Sequence, residues 1–171
     1  MTAHARIDGR PAVGWTARLG SPGELEFDGQ GWTALDSDGQ FVLSARGPGR
    51  YRVTLRRPGG EFQEQYVFED VVVRGLDARW EREFSTGKLL LDGVEGYRGE
   101  GTPRVAHCWK GAGEFNSLTI PIGDGTHEIE VPAGAAELRA PNESTAPEAW
   151  KVLRAIDVRR GATLSVQLSL D

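Results

Sequence analysis

Along this chain, apolar and polar residues alternate at period two in one short run after another, with glycine and proline between the runs. In "RYRVTLR", Tyr51, Val53 and Leu55 point one way while Arg50, Arg52, Thr54 and Arg56 point the other. "TLSVQLSL" sets Leu164, Val166, Leu168 and Leu170 against Ser165, Gln167 and Ser169. "HEIEV" opposes Ile129 and Val131 to Glu128 and Glu130, and "SLTIPI" aligns Leu118, Ile120 and Ile122. Pro121 has no N–H to give a ladder, which predicts an edge or a bulge for that strand. Further strands are predicted over 13–19, 24–27, 32–35, 41–45, 62–68, 71–73, 79–84, 88–91, 105–109, 136–140 and 150–158. No long segment has a helical period. In "ESTAPEAWKVLRAI", Ser144 or Thr145 could cap a short helix with Pro147 in its first turn. Trp150, Val152, Arg154, Ile156 and Val158 alternate as a strand, and that reading is preferred, with a turn of helix before it.

The pattern also repeats, with a period of roughly 85 residues. "SDGQFVLSARGPGRYRV" is echoed by "GDGTHEIEVPAGAAELR", and "VVVRGLDARWEREF" by "IDVRRGATLSVQL". Each half reads as an Asp-Gly turn, a strand, a Pro/Gly corner and a strand, then a β-branched strand leading into a closing one. The predicted fold is all-β: two tandem antiparallel Greek-key β-sandwiches of about seven strands each. The first spans 1–86 and the second 87–171, with the junction near "FSTGKLLLDG".

Composition agrees with many turns between short strands: 23 glycines and 9 prolines are spread without a short period. The net charge of −5 gives no reason to expect nucleic acid or an anionic membrane as partner. No apolar run approaches the roughly 20 residues needed to cross a bilayer as a helix. The start, "MTAHARIDGRPAVGW", lacks the apolar core of a secretory signal, which fits a cytoplasmic chain, a module of a longer chain, or another route of export. Cys108 is the only cysteine, so no internal disulfide is expected.

At Gly31 to Phe84 the chain resembles the carboxypeptidase-regulatory-like, prealbumin-like (transthyretin-like) β-sandwich domain. The residues concerned are the Asp-Gly turn, "FVL", "GPGRYRVTL", "VVVRG" and "WEREF", with a weaker copy over Gly87 to Leu170. The resemblance implies a seven-stranded Greek-key sandwich acting as an accessory, adhesive or ligand-binding module of larger proteins. It brings no catalytic residues with it.

Candidate chemistry is sparse. Asp36, Asp38 and Gly39 are spaced like part of an EF-hand loop, but Ala34 stands at the first ligand position and no glutamate follows at the last. These residues are read as a turn. The three histidines, His4, His107 and His127, are dispersed, and His107 and Cys108 as strand neighbours face opposite ways, so neither a zinc site nor a thiolate–imidazole pair is expected. "YRGE" at Tyr97 to Glu100 resembles the terminal tetrapeptide of hydroxyisourate hydrolases, but it is mid-chain and ends in glutamate, so it is read as a loop. Arg50, Arg52 and Arg56 are read as a solvated face with cross-strand partners such as Glu61 and Glu64.

Trp15, Trp32, Trp80, Trp109 and Trp150 all fall in predicted strands, where the default is packing. Trp15, Trp32 and Trp109 are the candidate ligand-binding residues, Trp32 and Trp109 being the more exposed by their neighbours. The expected function is a non-catalytic accessory module that binds a protein partner and takes no cofactor or metal. The alternatives are a carbohydrate-binding module using exposed tryptophans and a hydrolase of transthyretin-like fold, which would need convergent His, Arg and polar groups in one pocket.

Overall fold

The computed structural model describes residues 1–20, 31–58, 65–75, 77–92, 104–111, 114–122, 125–141 and 149–168. The expected strand at 24–27, the loop Tyr97 to Glu100, the capping residues Ser144, Thr145 and Pro147, and Glu61, Glu64 and Leu170 lie outside them. The described chain is all-β, with strands β1 (Thr2–Ile7), β2 (Arg10–Pro11), β3 (Thr16–Gly20), β4 (Thr33–Ala34), β5 (Gln40–Val42), β6 (Gly49–Arg56), β7 (Gln65–Val73) and β8 (Arg79–Phe84). They are followed by β9 (Thr86–Asp92), β10 (Arg104–Gly111), β11 (Glu114–Pro121), β12 (His127–Pro132), β13 (Gly134–Ala140), β14 (Lys151–Val158) and β15 (Thr163–Gln167). Two compact units are formed: Met1–Phe84 with Glu114–Asn116, and Ser85–Gly113 with Ser117–Asp171.

In the first unit, β1 lies between β5, antiparallel, and β8, parallel. Strand β2 folds back on the end of β1 through Asp8 and Gly9, whose φ angles of 52° and 80° are those of a two-residue hairpin turn. Neither β1 nor β2 is among the strands predicted from the pattern. The other sheet runs β7-β6-β3-β4. Its register opposes Ala17 to Leu55 and Leu19 to Val53, then Val53 to Phe68 and Leu55 to Tyr66. This makes one apolar face, in which Ala17, Val53 and Leu55 have no exposure.

An unbroken series of rings fills that unit. Trp15 packs on Tyr66 at 5.1 Å between centroids, Tyr66 on Phe84 at 5.6 Å, and Phe84 on Phe68 at 5.9 Å. Trp80 follows at 5.3 Å from Phe68 and 6.0 Å from Phe41. Phe68 and Tyr66 come from β7, Trp80 and Phe84 from β8, so the rings join one sheet to the other. Each such side chain contributes about 1.5–3 kcal/mol by leaving water. The inward face of β8 also holds Arg82, whose guanidinium lies 5.9 Å from the Trp80 ring centroid and whose pKa is lowered by burial. A charge turned inward on a strand at the margin of a sheet discourages unwanted pairing.

In the second unit, β9 lies between β12, antiparallel, and β15, parallel. Leu89, Leu91, Ile129, Val131 and Val166 are buried there. Leu168 is buried too, whereas Leu164 is part-exposed, so the expected shared face holds for its middle. The facing sheet runs β14-β13-β10-β11, and Pro121 is the last residue of β11, where a missing N–H interrupts no interior rung. Lys88 and Glu128 pair at 2.6 Å on the exposed face, a contact of small energetic value.

His107 stands on β10 opposite Leu138, has no exposure, and finds no hydrogen-bond partner for either ring nitrogen among the described residues. Burial lowers its pKa from 6.5 to about 4. The unfolded chain therefore takes up this proton at a higher pH than the folded one. The folded state keeps the full benefit above pH 6.5 and loses it as pH falls toward about 4, at up to about 1.4 kcal/mol per unit. The expected result is that His107→Leu flattens the acid limb of the melting temperature relative to the unmodified chain. Superimposable pH profiles between 7 and 4 would refute it.

Candidate functional site

Because Ala3 and Ala5 are buried, the other residues of β1, Thr2, His4 and Arg6, must face outward. The same alternation on β8 turns Trp80 in and Arg79, Glu81 and Glu83 out. Register sets Thr2 beside Arg79, and His4 between Gln40 of β5 and Glu81 of β8. A cleft of 270 Å³ opens there, lined by Thr2, His4, Gln40, Arg79 and Glu81, with Ala3 and Trp80 at its floor. Side chains from three strands far apart in sequence converge on it.

The loop between β4 and β5 supports the histidine. Asp36 Oδ1 accepts hydrogen bonds from the backbone N–H groups of Asp38 and Gln40, each at 2.9 Å. Gly39 N–H donates to Asp36 O at 3.0 Å, and Gly39 O accepts from Ala5 N–H at 3.0 Å. The Asp36 carboxylate is thereby turned into its own loop, as a turn residue, and among the described residues no group of three or more His, Cys, Asp or Glu could hold a metal ion. The closed loop presents Asp38 O to His4 Nε2 at 2.8 Å. A carbonyl oxygen only accepts, so Nε2 donates this hydrogen bond. Arg79 and Glu81 are both exposed and form no ion pair with any described residue. The cleft thus offers a cationic donor, an anionic acceptor, an imidazole and the Gln40 amide.

The tryptophans expected to bind ligand are not brought together. Trp15 and Trp32 lie just before β3 and β4 rather than within strands, and Trp150 just before β14. Trp15 is part-buried against Tyr66 and caps the aromatic core. Trp32 is part-buried on the outer face of the β4-β3-β6 sheet, where the guanidinium carbons of Arg56 and Arg18 lie 4.5 and 5.6 Å from its centroid. Register explains this, since Arg18 and Arg56 flank Thr16 and Thr54 on that face. The row read as a solvated arginine face is therefore partly occupied by an indole, and Thr54 within it is buried. Trp109 is only 7% exposed and lies 5.6 Å from His107, so the expectation of an exposed ring there is corrected. Strand β10 is covered on both faces, since Ala106 and Cys108 on the face opposite Trp109 are buried as well.

In the sequence His4 stands out only as one of three dispersed histidines, and Gln40, Arg79 and Glu81 are not marked as site residues. Two signals were available: the alternation Ala3, Ala5, Ile7 and the Asp8-Gly9 dipeptide after it, together a hairpin signature.

No family model matches the chain, and no curated protein matches it. Among solved structures it is similar to the Bacillus anthracis TIE protein, at 14% identity and a TM-score of 0.36, over 98% of this chain and 33% of that one. It therefore spans about a third of that protein's length. It is also similar to GBS52, the minor pilin of Streptococcus agalactiae, at 13% identity and a TM-score of 0.34, over 98% of this chain and 94% of that one. A putative adhesin from Bacteroides ovatus is similar at 9% identity and a TM-score of 0.28, over 98% and 92% of the two chains. TM-scores this low leave the family unassigned.

Proposed function

We propose that this chain is a non-catalytic binding module that engages a protein partner as one part of a larger assembly. The cleft is the observation behind this reading. It sets two opposite charges, without an ion-pair partner among the described residues, beside a hydrogen-bonded imidazole on strands β1, β5 and β8 of a four-stranded sheet, open to solvent. Such a surface suits recognition of another chain's polar side chains, where charge complementarity sets specificity. The indoles point the same way: Trp15 is engaged by Tyr66, Trp32 by two guanidinium groups, and Trp109 is inside. Stacking of a sugar ring would have to displace one of these contacts.

The two units are further proposed to be tandem copies of one prealbumin-like sandwich. In support, each runs its first long strand between an antiparallel neighbour and a parallel last strand, β1 between β5 and β8, β9 between β12 and β15.

A peptide display library and a glycan array, screened with the same purified chain, test the binding reading. Enrichment of peptides with no glycan signal is the expected outcome. A glycan hit abolished by Trp32→Ala would replace this reading with the carbohydrate one. Because the cleft unites His4 with Arg79, a hydrolytic turnover lost in His4→Gln would instead favour the transthyretin-like enzyme.

A further inference from the structure

The cleft's charges are arranged with a definite spacing, and that spacing identifies what fits. Arg79 and Glu81 are alternate residues of one strand, so their Cα atoms lie about 6–7 Å apart on the same face. Any extended polypeptide presents its residues i and i+2 on one side at that same interval. His4 of β1 is the register neighbour of Glu81, and Gln40 of β5 is the neighbour of His4 on its other side, so an imidazole and an amide share the row with the negative end. At the other end, Arg79 has Thr2 beside it and no acid among its register neighbours.

Resting on the protein-binding reading above, we infer that the cleft recognises an extended segment of a partner protein carrying an acidic and a basic residue two positions apart. The acidic side chain meets the Arg79 guanidinium. The basic one meets the Glu81 carboxylate, in the row that Glu81 shares with His4 and Gln40. Residues one apart point to opposite faces of an extended segment, so an adjacent acid–base pair cannot reach both ends. The rigidity of the support matters here. The Asp36–Gly39 loop holds the His4 ring through Asp38 O before anything binds, so less ordering accompanies binding.

The test uses the full chain and two capped peptides of identical composition, acetyl-Thr-Asp-Thr-Lys-Thr-amide and acetyl-Thr-Asp-Lys-Thr-Thr-amide, titrated at millimolar concentration and followed by NMR. The first is expected to bind at least about five-fold more tightly, as two cross-strand charge pairs would give, and to shift the His4 imidazole signals. Arg79→Gln and Glu81→Gln should each bring the first peptide down to the level of the second. Both positions are exposed, so the melting curves should not move. Equal binding of the two peptides, no binding of either, or binding indifferent to both substitutions would overturn the inference. The module reading fails separately, in the display experiment, if no peptide is enriched, whereas enriched peptides whose binding ignores Arg79→Gln and Glu81→Gln would sink the cleft and leave the module standing.

Discussion

Gly39→Val should cost about 4 kcal/mol or more, the sum of left-handed strain and a steric conflict with backbone. Gly39 has φ +73°, and a Cβ placed on it would lie 2.5 Å from Ala5 O, 3.0 Å from Ala12 N and 3.2 Å from Pro11 Cα. All three are backbone atoms of the first unit's β1 and β2 region, so no side chain can rotate away. A β-branched residue adds a second penalty at positive φ. Gly125 supplies the control: its φ is +90°, yet a Cβ there meets nothing within 4 Å. Gly125→Ala should therefore show only the strain of the left-handed region, about 1–2 kcal/mol, and Gly39→Ala distinctly more. Urea melts of the three variants decide the matter. If Gly39→Ala and Gly125→Ala melt together, the close approach to Ala5 is not what the glycine is for.

Val166→Asp should abolish folding of the second unit. Val166 is 1% exposed and sits on β15 beside Leu91 of β9, itself fully buried. An isolated carboxylate there either ionises without a partner or stays protonated with an unmet hydrogen-bonding group, at several kcal/mol against a total stability of roughly 5–15. Ser165→Asp, one residue earlier on the exposed face, should leave the melting curve nearly unchanged. A soluble Val166→Asp chain that melts cooperatively at the temperature of the Ser165→Asp chain would show that β15 does not close the core.

The strands that period-two alternation revealed were those with large residues at alternate positions. Val53 and Leu55, Ile129 and Val131, and Leu118 and Ile120 all proved buried. Strand β1 escaped because its inward residues, Ala3 and Ala5, are too small to stand out, although both are buried. Direction also escaped. Alternation is the same in parallel and antiparallel strands, and only coordinates show that β8 runs with β1 and β15 with β9. The tryptophans misled for a related reason: an indole near a glycine looks exposed in sequence, while Trp109 lies on β10, a strand buried on both faces. The turn at Asp36–Gly39 was legible because its chemistry is local, with every bond of the carboxylate made within four residues. Its second use, holding His4, was not, since the two are 34 residues apart. The cleft as a whole had no local signature, being assembled by register from β1, β5 and β8.

The parallel pairing of first and last long strands has a mechanical meaning. In the first unit the backbone enters at the head of β1 and leaves at the tail of β8, with rungs running from Thr2 beside Arg79 to Ile7 beside Phe84. Entry and exit therefore lie at opposite ends of one ladder. Tension drawn through Thr2 and Phe84 acts along that ladder in shear, so every rung resists at once, whereas an antiparallel closing strand would be unzipped from one end. The second unit has the same layout between Lys88 beside Thr163 and Asp92 beside Gln167. A pull between the ends of its first and last long strands would therefore load each unit in shear.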